Sequence, residues 1–239
     1  MSADSRLVQG EELDVLPPSD PRALRSRADL RRVHRAMCSV SILTRCLGQL
    51  RLRKTPRRIL ELGAGDATLL LRLAQTLDPP WQDVSLTVLD RHDMVSPETQ
   101  AAYEALGWQL TVLQDDALAW AESRNAAHYD LSLACLFVHH FVGDELSTLL
   151  RGIMSQADAF VALEPRRDWI ARTGSRFIAL LGANRVTRED AVKSVAAGFR
   201  GREMTALWPG SSGDWWCDEY AAFPFSQCFV AARESARDR

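Results

Sequence analysis

From Arg58 to Leu163 the chain repeats one pattern: a short apolar run, a turn of small or acidic residues, then a stretch with helical periodicity. The segments Arg58–Leu62, Val84–Leu89, Gln109–Leu113, Asp130–Phe137 and Ala159–Leu163 read as strands. Between them Thr68–Leu77, Pro97–Leu106 and about Asp144–Met154 read as helices, the first stopped by Asp78-Pro79-Pro80. Parallel strands need a crossover of a dozen or more residues, and an intervening helix supplies it. The alternation therefore predicts an α/β chain with a doubly wound parallel sheet.

The flanking segments read differently. Residues 1–20 are polar and run into Pro17-Pro18-Ser19-Asp20-Pro21, which predicts a mobile leader and then a helix start. From about Ser26 to Leu47, the residues Leu30, Val33, Met37, Val40 and Leu47 recur at helical spacing, with Thr44 on the same stripe. That predicts one amphipathic helix laid against another element. Arginines crowd its other face: Arg22, Arg25, Arg27, Arg31, Arg32, Arg35 and Arg45, with Arg51, Arg53, Lys54, Arg57 and Arg58 beyond, against a single Asp29. This face is either solvated or a docking surface for an acidic partner such as a carrier protein.

In the C-terminal third, Arg167–Leu181 reads as helical. Thr187-Arg188-Glu189-Asp190 resembles a capping box with Asp in place of Glu, opening a helix that ends near Gly198 or Gly201. Glu203–Leu207 and Gln227–Ala232 read as strands, with an aromatic loop between them that holds Trp208, Trp215, Trp216, Tyr220, Phe223 and Phe225.

With 239 residues, 46% hydrophobic and 25% charged, the chain can build one large domain with a helical attachment. Residues 1–55 are expected to form the leader and helical cap, and 56–239 the α/β domain with a helical insertion over about 167–201. A net charge of -2 carries no general signature of nucleic-acid binding. No apolar run reaches the roughly 20 residues needed to span a bilayer, and the N-terminus lacks the pattern of a signal peptide. Five cysteines without a C-x-x-C pair argue against a disulfide framework or zinc site and for reduced thiols in the cytoplasm. With no H-x-x-x-H or clustered carboxylate pattern, no metal is expected. Either a monomer or a homodimer is compatible with these features.

The chemistry-bearing run is Glu61-Leu62-Gly63-Ala64-Gly65-Asp66-Ala67, at the first strand-to-helix turn. Glycines there let backbone approach a ligand where a Cβ would clash, and the following helix offers free N–H groups. This run resembles motif I of the class I S-adenosylmethionine-dependent methyltransferases, with Glu61 at the acidic position, Gly63 and Gly65 as the first two glycines, and Ala67 in place of the third. Asp90 ends the second strand about 27 residues after Gly63, close to the spacing of ribose-binding carboxylates. Asp116-Ala117 ends the third strand, with Asp115 as an alternative carboxylate. Tyr129-Asp130-Leu131, the Leu136-Phe137-Val138-His139-His140-Phe141 run and Ala197-Gly198-Phe199 extend the resemblance over Arg58 to Arg233, and the L-H-H-F-like run is similar to that of small-molecule enzymes of the quinone-biosynthesis type.

The resemblance implies a Rossmann-like fold. Its seven-stranded, mostly parallel sheet would carry helices on both faces, an antiparallel C-terminal hairpin and a helical N-terminal cap. It implies S-adenosyl-L-methionine as cofactor, bound by Glu61, Gly63, Ala64, Gly65, Asp90, Arg91, Asp115, Asp116, Ala117 and Ala134. It implies methyl transfer to a small acceptor, expected to be the oxygen of a phenolic or quinone-like aromatic. His139 or His140 would be the catalytic base and would face substrate, with Glu164, Arg166, Trp215 and Trp216 on the substrate side. Each residue also has a plainer reading: a strand-end histidine bonded to backbone, a surface ion-pair cluster at Glu164–Arg167, ordinary packing at Trp215-Trp216. A nicotinamide fingerprint would want glycine at Thr68. An amino-directed DNA methyltransferase would want a D/N-P-P-Y/F run where Ala134-Cys135-Leu136-Phe137 stands, so nucleic acid is not expected as partner. A carrier-tethered substrate and a non-catalytic cofactor-binding scaffold are the remaining alternatives.

Overall fold

The computed structural model describes residues 5–123, 127–176, 178, 182–210 and 213–238. In chain order the elements are α1 (Glu12–Val15), α2 (Pro21–Ala36), α3 (Ser39–Leu50), β1 (Arg58–Leu62), α4 (Thr68–Ala74), β2 (Ser85–Asp90), α5 (Pro97–Ala105), β3 (Gln109–Gln114), α6 (Ala117–Glu122) and β4 (Leu131–Cys135). A 3₁₀ turn (Val138–His140), α7 (Gly143–Gln156), β5 (Ala159–Pro165), α8 (Trp169–Arg176), α9 (Arg185–Ala197), α10 (Glu203–Leu207), β6 (Trp215–Ala222) and β7 (Ser226–Arg233) follow. The strands form a seven-stranded sheet in the order β3-β2-β1-β4-β5-β7-β6. Strands β1 to β5 pair in parallel, and β7 runs antiparallel to both β5 and β6.

Side chains alternate across a strand, so an unbroken apolar run must be covered on both faces. Ile59, Val161 and Leu163 enter the core on one face, against Leu43, Cys46 and Leu50 of α3, Leu70 and Leu73 of α4, and Tyr103 of α5. Leu60, Leu62, Phe160 and Ala162 enter the other, against Trp120 of α6, Leu149 and Ile153 of α7, and Met204 of α10. Strand order reverses at β1, whose neighbours are β2 on one side and β4 on the other. The crevice beyond the carboxyl ends of these strands is where ligands bind in open α/β sheets.

Several expected elements differ. The single helix over Ser26–Leu47 is two helices, because Cys38 takes a left-handed conformation (φ 55) and Met37 N–H closes α2 on Val33 O. The break frees the two halves to face different ways. Ile42, Leu43, Cys46 and Leu50 of α3 enter the core while Thr44 stays exposed. Helix α2 instead docks on α9: Asp29 accepts from Asn184 N–H (2.7 Å) and Thr187 Oγ (3.2 Å), and Ser26 bonds Asn184. The leader expected to be mobile is tied down from Leu7, whose N–H donates to Ala196 O at 3.1 Å.

Helix α4 stops at Ala74 and β4 at Cys135, the latter because Leu136 turns left-handed (φ 54). Helix α9 opens at Asn184, whose side chain accepts from Thr187 N–H, so Thr187 lies inside the helix and caps nothing. Glu203–Leu207 is helical, since Glu219 accepts the Met204 and Thr205 N–H groups as an external cap; five residues hold too little periodicity to separate the two readings. Trp215, Trp216 and Tyr220 lie on β6 and not in a loop. Leu181, the expected end of the helix after Arg167, lies outside the described residues, and α8 covers Trp169–Arg176.

Helices α6 and α7 meet closely at Gly152. A Cβ there would lie 2.4 Å from Ala121 Cβ and 2.6 Å from Ala121 Cα. Gly152→Ala is expected to destabilise the chain by about 1–3 kcal/mol despite alanine's better helix propensity. A urea titration should show a lower midpoint with the slope unchanged; an unaltered midpoint would mean that the two helices yield freely.

Candidate functional site

The turn after β1 holds a conformation that few residues tolerate. Gly63 (φ 63), Gly65 (φ 55) and Ala67 (φ 57) are all left-handed. Gly63 N–H donates to Leu89 O at 2.8 Å, and a Cβ on Gly63 would sit 2.1 Å from the Phe137 ring. Gly65 N–H donates to Asp90 Oδ2 at 2.9 Å, and His92 N–H donates to Asp90 Oδ1 at 3.0 Å. Asp90 thus staples the end of β2 to the β1 turn. A Cβ on Gly65 would meet no atom within 4 Å, so this face of the turn is open. Ala67 carries the cost of a left-handed non-glycine residue, about 1–2 kcal/mol, and Tyr103 Oη donates to its carbonyl at 2.8 Å.

The open face belongs to a cavity of about 890 Å³, in the upper range of ligand pockets. Glu61, Gly63, Ala64, Gly65, Asp90, Arg91, Asp115, Asp116 and Ala117 line it together with His139 and His140. Ala134 does not, being fully buried within the sheet core. Asp116 caps α6 by accepting from Leu118 and Ala119 N–H and pairs with Arg91 at 2.8 Å, while Asp115 stays exposed. Glu61 is buried and its Oε2 has no hydrogen-bond partner. Burial, with the charges of Asp66 and Asp90, pushes its carboxyl up to about 8.

The remaining expected residues lie elsewhere. Glu164 stands behind the histidines. Arg166 pairs with Asp168 at 2.5 Å and is outside the cavity wall. Trp215 packs on Trp208 and Trp216 lies under Arg237, both on the edge strand β6.

The two histidines have opposite surroundings. His139 is buried, with Nδ1 2.7 Å from Glu164 Oε2 and Nε2 3.5 Å from Glu11 Oε1. Burial disfavours its charge, but bonds to Glu11 and Glu164 outweigh burial and raise the ring to about 9. His139 is therefore a cation at neutral pH. His140 is lowered by burial and then by the charge on His139, which keeps its imidazole neutral; its Nδ1 lies 3.5 Å from Asp14 Oδ2. Glu11, His139 and His140 form the one group of three or more among the described residues whose ligand-type atoms all lie within 4.8 Å of one another. In it His139 already faces two carboxylates, Glu11 in the group and Glu164 behind it.

The expected helical N-terminal cap forms the cavity's other half. Leu30, Val33 and His34 of α2, with Met37 at its end, form a largely apolar wall. Burial holds His34 near 4, hence neutral, with Nδ1 3.1 Å from Ser39 Oγ. The leader supplies Glu11 and Asp14, anchored where Asp190 accepts the Glu12 and Leu13 N–H groups at 2.9 and 3.0 Å. Arg6 reinforces it by donating to His139 O and Phe141 O at 3.0 and 3.1 Å. The leader has no periodicity that could have flagged it.

No protein-family model matches the sequence, and no curated protein matches it. Similar solved structures exist. The plantazolicin methyltransferase BpumL in complex with SAH is 15% identical, with 90% of this chain and 92% of that one covered and a TM-score of 0.65. An O-methyltransferase family protein from Burkholderia thailandensis is 13% identical over 90% of this chain and 60% of that one, with a TM-score of 0.60. A putative O-methyltransferase from Nostoc punctiforme is 13% identical over 94% and 64%, with a TM-score of 0.58. These likenesses establish the fold, Rossmann-like α/β with an antiparallel C-terminal hairpin.

The shifted groups give stability a definite pH dependence. His139 rises from 6.5 to about 9 on folding. Its contribution is fully present below pH 6.5 and is lost as pH rises through about 9, roughly 3 kcal/mol in all. Glu61 rises from 4.5 to about 8; the unfolded chain ionises first, so stability also falls over that window. His34, lowered from 6.5 to about 4, works in the opposite sense and offsets Glu61 below pH 6.5, so urea midpoints should decline from about pH 6.5 to pH 9. Glu61→Gln should flatten the part below pH 8, and Glu11→Gln should shrink the part above pH 6.5. A wild-type midpoint that holds constant from pH 6.5 to 9 would contradict the charge assigned to His139.

Proposed function

We propose that this chain transfers a methyl group from S-adenosylmethionine to an oxygen of a small, largely apolar acceptor, with a phenolic or quinone-like aromatic as the preferred class. One observation carries the reading: nine of the ten residues expected to hold the cofactor line a single cavity, whose further wall combines an apolar helix face with a neutral histidine. The residues fit that group. Glu61 Oε2 is a buried oxygen without a partner, suited to an ammonium, and the cavity face of Gly65 is open. Gly63, Ala64, Gly65 and Glu61 would hold the methionine part, Asp90 the ribose, and Arg91, Asp115 and Asp116 would surround the adenine. Similarity of fold to solved proteins named as methyltransferases supports the same assignment.

When bound, the cofactor supplies an electrophilic methyl group on sulfonium sulfur. The chain's own work is orientation, exclusion of water and removal of a proton. With Nδ1–H turned toward Asp14, His140 offers Nε2 as a base for the acceptor's hydroxyl. His139 cannot share that role, because it already carries its proton between Glu11 and Glu164. It acts as a positioning residue that fixes the backbone beneath His140. Leu30, Val33, Met37, Phe137, Ile178 and Phe225 form the apolar surroundings in which an aromatic acceptor would lie.

A carrier-tethered acceptor is the alternative: Arg25 and Arg35 of the basic face are exposed without an ion pair among the described residues, while its other arginines are engaged within the chain. Arg22 pairs with Glu12 and Asp20, Arg27 donates to Pro18 O, Arg31 pairs with Asp66 at 2.7 Å, and Arg32 pairs with Asp29.

Calorimetric titration with S-adenosylhomocysteine should show one site, weakened about 10- to 100-fold in a folded Asp90→Ala variant. His140→Ala should keep that affinity while turnover of a phenolic acceptor falls about 10²- to 10⁴-fold. Absence of binding by folded wild type would overturn the cofactor reading, and undiminished turnover in His140→Ala would remove the base.

A further inference from the structure

Helix α8 has two faces with different duties. Ala171, Gly174 and Ser175, with Ile178 just beyond, turn inward and line the cavity. Trp169, Arg172, Thr173 and Arg176 recur at the spacing of a single helix face, and all four are exposed, as is the flanking Ile170. Trp169 is 76% exposed, an unusual place for the largest side chain. Neither the Arg172 nor the Arg176 guanidinium has an ion-pair partner among the described residues, whereas Asp168 is already engaged by Arg166 and Ala171 N–H.

A second apolar projection stands at the same end of the molecule. Phe223, at the turn between β6 and β7, is 87% exposed. That turn is fastened to the root of α8: Arg166 N–H donates to Phe225 O at 2.8 Å, and the Arg166 guanidinium donates to Pro224 O at 3.2 Å. Gly174 lets α8 pass over the Phe225 ring, where a Cβ would come within 2.7 Å.

We propose that Trp169, Ile170 and Phe223, with Arg172 and Arg176 around them, dock this chain on the surface of an anionic phospholipid bilayer. Aromatic side chains that project are suited to the headgroup boundary of a fluid layer, where indole and phenyl rings are favoured. Arginines on the adjoining positions can snorkel to lipid phosphates while their stems lie along the apolar region. No helix of the described residues is long and apolar enough to cross a membrane, so the association is peripheral. Helix α8 also forms part of the cavity wall, which places the docked surface beside the acceptor's chamber. An amphiphilic acceptor could then pass from the bilayer into the apolar half of the cavity. That delivery rests on the methyl-transfer reading, whereas the docking does not.

Flotation with phosphatidylcholine vesicles, with and without phosphatidylglycerol, tests the docking directly. Wild type should float with the phosphatidylglycerol vesicles and be released by salt. Arg172→Gln and Arg176→Gln should each weaken binding about fivefold. Trp169→Ser combined with Phe223→Ser should weaken it at least about tenfold. All variants should bind S-adenosylhomocysteine like wild type, which keeps a failure here separate from failure of the cofactor reading. Three results would overturn the proposal: wild type that never floats, variants that float as well as wild type, or a wild-type dimer that Trp169→Ser dissociates. Retention on immobilised polyglutamate without vesicle binding would instead assign the surface to an acidic protein partner.

Discussion

Glu164 lies at the end of β5 with 1% of its surface exposed, where a bare carboxylate would be untenable. Four donors answer it. Phe137, Val138 and His139 give backbone N–H groups at 3.2, 2.9 and 3.3 Å, and the His139 ring approaches at 2.7 Å. These bonds bend the chain after β4 into its 3₁₀ turn, and that turn carries His140 to the cavity. They also hold the His139 proton that draws in Glu11, so the N-terminal strap closes over the same carboxylate. Burying such charges costs several kcal/mol per ion before pairing. A charge-assisted bond to Glu164 on one side of the imidazole and the Glu11 carboxylate 3.5 Å from the other offset that cost.

The sheet supplies the frame in which this carboxylate acts. Parallel β4 and β5 bring Cys135 opposite Leu163 in register, which sets the β4 turn directly beside Glu164. On the other side of the strand-order reversal, Asp90 plays an equivalent part by holding the Gly65 and His92 N–H groups. Two strand-end carboxylates thus order two adjoining loops, in contact at Gly63 and Phe137, that both line the cavity. Helix α2 closes the top, and its contact with α9 through Asp29 means that the cap and the helices after β5 are one interlocked unit.

Much of this was readable in the residues. The five parallel strands, the Gly63–Gly65 turn and Asp90 all declare themselves through local rules: apolar runs of strand length, glycine at positions of positive φ, a carboxylate where a strand ends. Short-range rules fail where two readings share one pattern. Glu203–Leu207 is apolar enough for either a strand or a helical turn, and the distant Glu219 decides between them by accepting its N–H groups. Asn184 and not Thr187 caps α9, because Thr187 is engaged by Asp29. The aromatic residues Trp215 and Trp216 were plausible as a substrate wall, yet β6 occupies the edge of the sheet, far in strand order from β1.

Local sequence thus specified the alternation of strands and helices and the ligand-ready turn after β1, because hydrophobic period and backbone stereochemistry act over a few residues. It did not specify which titratable groups meet. Glu11 reaches His139 and Asp14 reaches His140, each across a separation of more than a hundred residues. Charge states followed from those meetings. Two adjacent histidines with the same intrinsic chemistry became one cation and one neutral imidazole, because burial and carboxylate partners are properties of the folded chain.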